Sequence, residues 1–420
     1  MKHTFANKRK IINDPVYGFI NIPGNLIFEI IEHPFFQRLR RIKQLGLTHL
    51  IYPGALHTRF HHSIGAMHLM CEAIDTLRAK GQEITKEEEE AVCIAILLHD
   101  IGHGPFSHSL EHSIVSGINH EMISGHYMEA LNGIFAGKLS MAIDIFRNKH
   151  DKKFLHQLIA GQLDMDRLDY LKRDSFFTGV SEGVINAERI IKMLDVVDDE
   201  LVVEAKGIYS VEKFVIARRL MYWQVYLHKT VIAAEYILRK ILTRANYLVK
   251  NGETLFATPA LEYFLRNAIT DADFRENSDT LNYFSKLDDF DIFTSIKVWA
   301  DHSDKTLSLL SSFLVNRNLF KIEMQQHPFK SSYVSNIRKK ALELYDIPEE
   351  DANYFIFTDR TSNYTFDPEA GSIKILHKNG KIADITEASD QLNISVLSRA
   401  IIKHFLCYPK PVYYDMPGSK

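Results

Sequence analysis

The stretch Leu97–Leu98–His99–Asp100–Ile101–Gly102–His103–Gly104–Pro105–Phe106–Ser107–His108 decides how this chain reads. It closes an apolar run, Ala91–Val92–Cys93–Ile94–Ala95–Ile96–Leu97–Leu98, with a histidine directly beside an aspartate. His103 follows one helical turn after His99, so the two rings can share a face. Gly102, Gly104 and Pro105 then break the helix. Ionisable groups at the broken end of a buried helix cost several kcal/mol unless they are paired or bind a metal. A divalent cation is the economical explanation. A His-Asp pair alone is just as consistent with a helix cap or a surface feature, so the rest of the chain must supply convergence.

Composition narrows the class. The chain has 420 residues, 46% hydrophobic and 25% charged, which is ordinary soluble globular material for two or three domains. A net charge of -3 gives no global attraction to nucleic acid. The three cysteines, Cys71, Cys93 and Cys407, have no CxxC spacing, which argues against a disulfide framework or thiolate metal site. The first ten residues carry no apolar signal-peptide core, and no apolar run approaches the ~18 residues of a membrane span. A cytoplasmic protein with no membrane partner is expected.

Upstream of the HD stretch, residues 12–31 mix turn and strand signals and predict a hairpin or extended arm before a helix. Phe36 to Gly46 predicts a basic amphipathic helix stopped by glycine. Thr58–Arg59–Phe60–His61–His62–Ser63–Ile64–Gly65 follows, with Met67, Cys71, Ile74 and Leu77 at helical spacing, so His62 opens a helix of about five turns. Thr85 and Glu88 have capping-box spacing before the HD helix. Downstream, Asn119–His120–Glu121 lies in a connecting stretch. The segment Gln162–Leu163–Asp164–Met165–Asp166–Arg167–Leu168–Asp169–Tyr170 puts leucines on one helix face and Asp166 and Tyr170 on another.

A small hairpin is expected around Gly207, from 201–204 to 208–211, then one long helix from about Val211 to Val249 carrying Arg218, Tyr226 and Lys229. Near residue 340 the composition shifts. Tyr354–Phe357, Ser372–Leu376 and Ile382–Ile385 read as strands, with Asn379–Gly380 as a hairpin turn and Val396–Phe405 as a closing helix. The expected fold is mainly α, with a helical core over 1–340 whose motifs span 46–185, small hairpins, and a small α+β unit over 341–420.

Four groups stand out, each at or near a core-facing helix end: His62, His99, Asp100 and Asp166. Two imidazoles and two carboxylates with no sulfur favour one divalent ion such as Mn, Fe, Ni, Co, Mg or Zn. Such an ion polarises a phosphoryl oxygen and activates water.

The order of these motifs, Arg-Phe-x-His-Ser-x-Gly, then His-Asp-x-Gly-His-Gly-Pro-Phe-Ser-His, then Asp-x-Asp-Arg-x-Asp-Tyr, resembles the HD-domain phosphohydrolases. Within them it is closest to the deoxynucleoside triphosphate triphosphohydrolases, over residues 12–235. The resemblance implies that His62, His99, Asp100 and Asp166 ligate the metal. It implies that His103, His120 and Glu121 lie near the attacking water and leaving group, with Glu121 orienting a histidine and Glu111 partnering the reactive one. It implies phosphate contacts from Arg59, His108, Arg167, Arg218, Tyr226 and Lys229, and sugar contacts from Gln44, Tyr170 and Asp174. Leu227 replaces a polar residue of some relatives, so base preference does not carry over. It also implies a homodimer or homotetramer, and an allosteric nucleotide beside the substrate nucleotide. A separate SAM domain is not expected, because the first ~45 residues are too few for one.

Elementary chemistry agrees. A triphosphate needs local positive charge on a slightly acidic protein, and Arg59, Arg167, Arg218 and Lys229 supply it. Tyr170 or Tyr226 can pack on sugar or base. His103 or His120, with an ordinary pKa near ~6.5, suits a proton donor. The expectation is hydrolysis of a deoxynucleoside triphosphate to deoxynucleoside and triphosphate. The rivals are monophosphate or phosphodiester hydrolysis on the same fold, and a non-catalytic nucleotide-sensing scaffold.

Overall fold

The computed structural model describes residues 10–106, 115, 117–363, 371–389 and 401–414. The chain opens with an antiparallel hairpin, β1 (Ile11–Asp14) and β2 (Gly18–Asn21), in register Ile12 to Ile20. Asp14 makes its turn: Oδ1 accepts the Val16 and Tyr17 amides at 2.9 and 3.0 Å.

The core is a set of helices around α1 (Arg59–Ala79). α1 is buried on nearly all sides, from Phe60 to Leu77, because α2 (Lys86–Leu98) and α4 (Met165–Thr178) both pack on it. A helix covered all round shows little amphipathic stripe. α2 starts with the expected capping box: Glu88 N–H donates to Thr85 Oγ1 at 3.1 Å and Thr85 N–H to Glu88 at 2.8 Å. It ends at Leu98, and the HD turn follows. α3 (His120–Ile134) presses on that turn. A Cβ on Gly102 would lie 2.2 Å from the His120 carbonyl oxygen and 2.3 Å from the Ser124 nitrogen. Ser124 Oγ stitches the two together, accepting the Gly102 amide at 2.9 Å and donating to His99 O at 2.7 Å.

The structure corrects several expectations. The stretch 36–46 is not one amphipathic helix. Helix Pro34–Gln37 passes into a 3₁₀ turn at Arg38–Arg41, and Ile42 is already extended. Arg38 is fully buried, donating to the carbonyls of Leu287, Ile101 and His103 at 2.9, 3.3 and 2.8 Å. The helix expected over Val211–Val249 is two, α5 (Ile208–Met221) and α6 (Lys229–Lys250), joined through a π-helical turn at Tyr222–Tyr226. Tyr52 Oη donates to Gln224 O at 2.6 Å, so that carbonyl is engaged from outside the helix. The hairpin expected around Gly207 is shifted upstream to β3 (Leu194–Val197) and β4 (Glu200–Glu204).

In the C-terminal part, β5 (Lys321–Gln325), β6 (Phe357–Asn363) and β9 (Ile401–Tyr408) form one sheet in the order β5-β9-β6. β7 (Lys374–Leu376) and β8 (Ile382–Asp384) join the other, β3-β4-β7-β8. Residues 401–405 are therefore strand and not the end of a helix; 396–400 lie outside the described residues. Residues 352–355 form a helical turn before β6. The Asn379–Gly380 turn is present, with Gly380 at φ +80°. Strand pairs β4–β7 and β5–β9 bridge position 340, so the segment after it is woven into what precedes it.

Candidate active site

The two histidines that head the site are each fixed by their Nδ1. His62, in the first turn of α1, bonds Asp169 Oδ2 at 2.8 Å. His99, at the end of α2, bonds Ile96 O at 2.6 Å. Each Nδ1 is therefore engaged as a donor, and Nε2 is the ring atom left to face a cation. Both Nε2 atoms are buried and, among the described residues, have no hydrogen-bond partner. They converge on Asp166 Oδ1, in the first turn of α4, at 3.1 Å from His62 and 3.6 Å from His99. Ligands about 2.1 Å from one ion stand about 3–3.5 Å apart. The donor set fits a single divalent cation.

The electrostatics point the same way. Burial works against a charged His62, yet Asp166 and Asp169 outweigh it and raise its pKa to about 10. Burial likewise opposes the Asp166 carboxylate, but His62 and His99 hold it below the usual range. The buried acids make this corner one that favours positive charge. Asp100 stands beside it, 3.4 Å from His99 Nε2 and 3.8 Å from His62 Nε2. It also pairs with Arg59 and lies 3.4 Å from His103 Nε2. His103 in turn stacks on His120, ring centres 3.8 Å apart at 15°. Burial, aided by Arg59, keeps the His103 pKa well below the ordinary histidine value. That corrects the expectation of an ordinary pKa near neutrality for His103.

Next to the donors is a cavity of about 470 Å³. Asp166 belongs to both. Gln44, Arg59, Arg167, Tyr170, Asp174, Arg218 and Tyr226, all expected around substrate, line it. Among the described residues, three of them present buried polar atoms with no hydrogen-bond partner: Gln44 Oε1, Arg167 Nη1 and Arg218 Nε. Lys229 does not line it; it is exposed at the first position of α6. Glu121 is exposed on α3 and lines a different groove, with His126 and Arg147. Glu111 and His108 lie outside the described residues.

Several site residues had no individual signal in the sequence. His57 is buried, stacks on Phe177 at 4.5 Å, and bonds Asp174 Oδ1 at 2.8 Å, while Tyr226 Oη donates to Asp174 Oδ2 at 2.7 Å. Tyr222 and Glu235 add to the cavity wall. Asp169 was visible only as the next acid after Asp166 in the same motif.

Comparison with known proteins gives the family. Residues 59–174 match the HD domain and residues 185–256 the HD associated region. The uncharacterised protein YwfO of Bacillus subtilis is 33% identical, over 99% of this chain and 95% of that one. A crystal structure of a phosphohydrolase from Bacteroides thetaiotaomicron is 55% identical with a TM-score of 0.93, covering 96% of this chain and 100% of that one. The chain belongs to the HD-domain phosphohydrolase family. The region matched to the HD domain contains all four expected metal ligands, His62, His99, Asp100 and Asp166. A deoxynucleoside triphosphate triphosphohydrolase SAMHD1 homolog of Dictyostelium discoideum is 33% identical over 59% of this chain; the chain spans 51% of that relative. Among the described residues, no helix is long and apolar enough to cross a membrane.

Proposed function

We propose that this protein hydrolyses deoxynucleoside triphosphates at the α-phosphorus, releasing deoxynucleoside and triphosphate. The carrying observation is that Asp166 is shared by the metal donors and by a cavity whose wall holds Arg59, Arg167 and Arg218. A volume of about 470 Å³ suits a nucleotide. Among the described residues, Arg167 Nη1 and Arg218 Nε have no hydrogen-bond partner, and phosphate oxygens satisfy such groups. Tyr170, Tyr222 and Tyr226 line the same cavity and offer an aromatic surface for sugar or base.

When bound, a divalent cation held by His62, His99, Asp166 and Asp100 supplies Lewis-acid polarisation and a nucleophilic water. The chain supplies the rest. Arg59 pairs with Asp100 beside that centre. Arg167 and Arg218 bind and orient the phosphate tail. His103 stays neutral, and half-exposed His120 delivers a proton to the departing 5′-oxygen. The P–O bond to water forms as the P–O bond to the 5′-carbon's oxygen breaks.

The test is product analysis on metal-loaded protein with the four deoxynucleoside triphosphates, singly and mixed. Intact triphosphate plus deoxynucleoside is expected. Pyrophosphate or single phosphates would refute the reading. Turnover with mixtures alone would reveal an allosteric nucleotide, and light scattering with and without nucleotide reads the homodimer or homotetramer.

A further inference from the structure

The first hairpin reaches the metal centre through buried charges. Asp14, at the end of β1, uses Oδ1 to build its own turn and Oδ2 to accept Arg173 Nη1 at 2.7 Å. Arg173 grips Asp169 with two further bonds, Nε to Oδ2 and Nη2 to Oδ1, both 2.9 Å. Asp169 Oδ2 accepts His62 Nδ1 at 2.8 Å. Asp14 is 2% exposed, and Arg173, Asp169 and His62 are 0% exposed. The chain of bonds is continuous from a surface hairpin to the imidazole that faces the metal site.

A second observation is independent of these bonds. A Cβ on Gly65 would lie 2.1 Å from both Arg173 Nη2 and Asp169 Oδ1. Gly65 is three residues after His62 on α1, so it sits on the same helix face one turn along. Glycine there costs helix propensity. What it provides is room for the Arg173–Asp169 pair to lie against α1 behind His62.

We infer that Asp14 and Arg173 are positioning residues for His62, so that the β1–β2 hairpin sets the orientation and metal affinity of that ligand. Asp169 alone can rotate about its side-chain bonds. The Arg173 fork fixes its carboxylate plane, and Asp14 fixes the fork. His62 is thereby kept as the Nδ1–H tautomer with Nε2 open. A partner one bond removed from a ligand, as Asp169 is from His62, changes metal affinity by about 10–100-fold, and Arg173 and Asp14 act on His62 through it. The inference rests on His62 being a ligand.

The experiment measures the Zn²⁺ dissociation constant of the full chain by chelator competition, with imidazole ¹⁵N shifts of His62 read in parallel. Asp14→Asn keeps an oxygen for the turn and removes the charge facing Arg173. It should weaken Zn²⁺ about 10-fold and mix the His62 tautomers, with circular dichroism unchanged. Gly65→Ala removes no polar group and introduces the better helix former, so a comparable loss there reads the displaced Arg173–Asp169 pair. Wild-type affinity and unshifted ¹⁵N signals in both variants would overturn the inference. Should either variant fail to fold, the wild-type His62 Nδ1 proton decides: it must be observed and protected from exchange, and its absence overturns the relay. His62→Ala separates the two readings. If it keeps Zn²⁺ at wild-type affinity, the metal site itself is wrong; if it loses Zn²⁺ while Asp14→Asn does not, only the relay falls.

Discussion

Asp166→Ala removes the residue that belongs to both the donor cluster and the cavity. Metal content by elemental analysis should fall to background and turnover with it, while the helical far-ultraviolet signal persists. His57→Phe tests a quieter contact. The ring keeps its stack on Phe177 but loses the bond to Asp174. KM should rise about tenfold, the size of a lost hydrogen bond to a charged group, with kcat nearly unchanged; His57→Gln, which retains a donor, should recover most of it. Raised KM in both variants alike would mean that the ring and not its N–H matters. The convergence of His62, His99 and Asp166 was foreshadowed because each sits in a dense motif at a helix end. His57 was not, because its meaning depends on Asp174, 117 residues away. The burial of Arg38 was not legible in the basic stretch 36–46, because its three acceptors are backbone carbonyls, two of them in the HD turn and one at residue 287. Arg38→Met leaves those buried carbonyls without donors, and a loss of about 3 kcal/mol in urea unfolding is expected.

At the scale of elements, the sequence revealed where helices begin better than how they bend. The Thr85–Glu88 box and the glycine-rich end of α2 are local chemistry, so they were readable. The π-helical turn between α5 and α6 was not, since apolar periodicity runs through it and an outside contact, Tyr52 to Gln224 O, engages its carbonyl. That turn matters to the site. It sets the angle between Arg218 on α5 and Tyr226, both on the cavity wall. Such single-turn expansions frequently mark functional sites. Deleting Gln224 should let the turn close toward regular α-helix and rotate Arg218 by about one residue, roughly 100°, relative to Tyr226. The expected protein keeps its metal, measured by elemental analysis, but loses nucleotide binding by calorimetry. Retained nucleotide affinity would show the turn to be incidental.

At the scale of the whole molecule, the composition shift near residue 340 suggested an appended unit, and composition cannot register strand pairing across that point. β9 is the central strand of its sheet, between β5 and β6, with Phe405, Leu406, Cys407 and Tyr408 at 1% exposure or less. Tyr236 of α6 packs against the same sheet, its ring 5.2 Å from both Phe357 and Phe405. One turn before Tyr236 on that helix is Ile232, and Val231 and Glu235 line the cavity. The sheet therefore braces the helix that forms one wall of the candidate substrate site. Removing residues 401–420 would strip three large buried side chains, each worth about 2 kcal/mol or more, from a protein whose net stability is on the order of 5–15 kcal/mol. The truncated chain should either fail to fold or, if it folds, melt well below the full-length protein and bind nucleotide more weakly. Metal affinity should change less in a folded truncation, because His62, His99 and Asp166 come from α1, the end of α2 and α4, none of which pairs with that sheet. Calorimetric melting with and without chelator separates these effects: a ligand present at a hundred times its Kd adds about 2.7 kcal/mol to the folded state. The chelator-induced drop in Tm should therefore survive in a folded truncation while the baseline Tm falls. A truncated protein that melts and turns over as the full chain does would show that the C-terminal sheet rides on the helical core without supporting it.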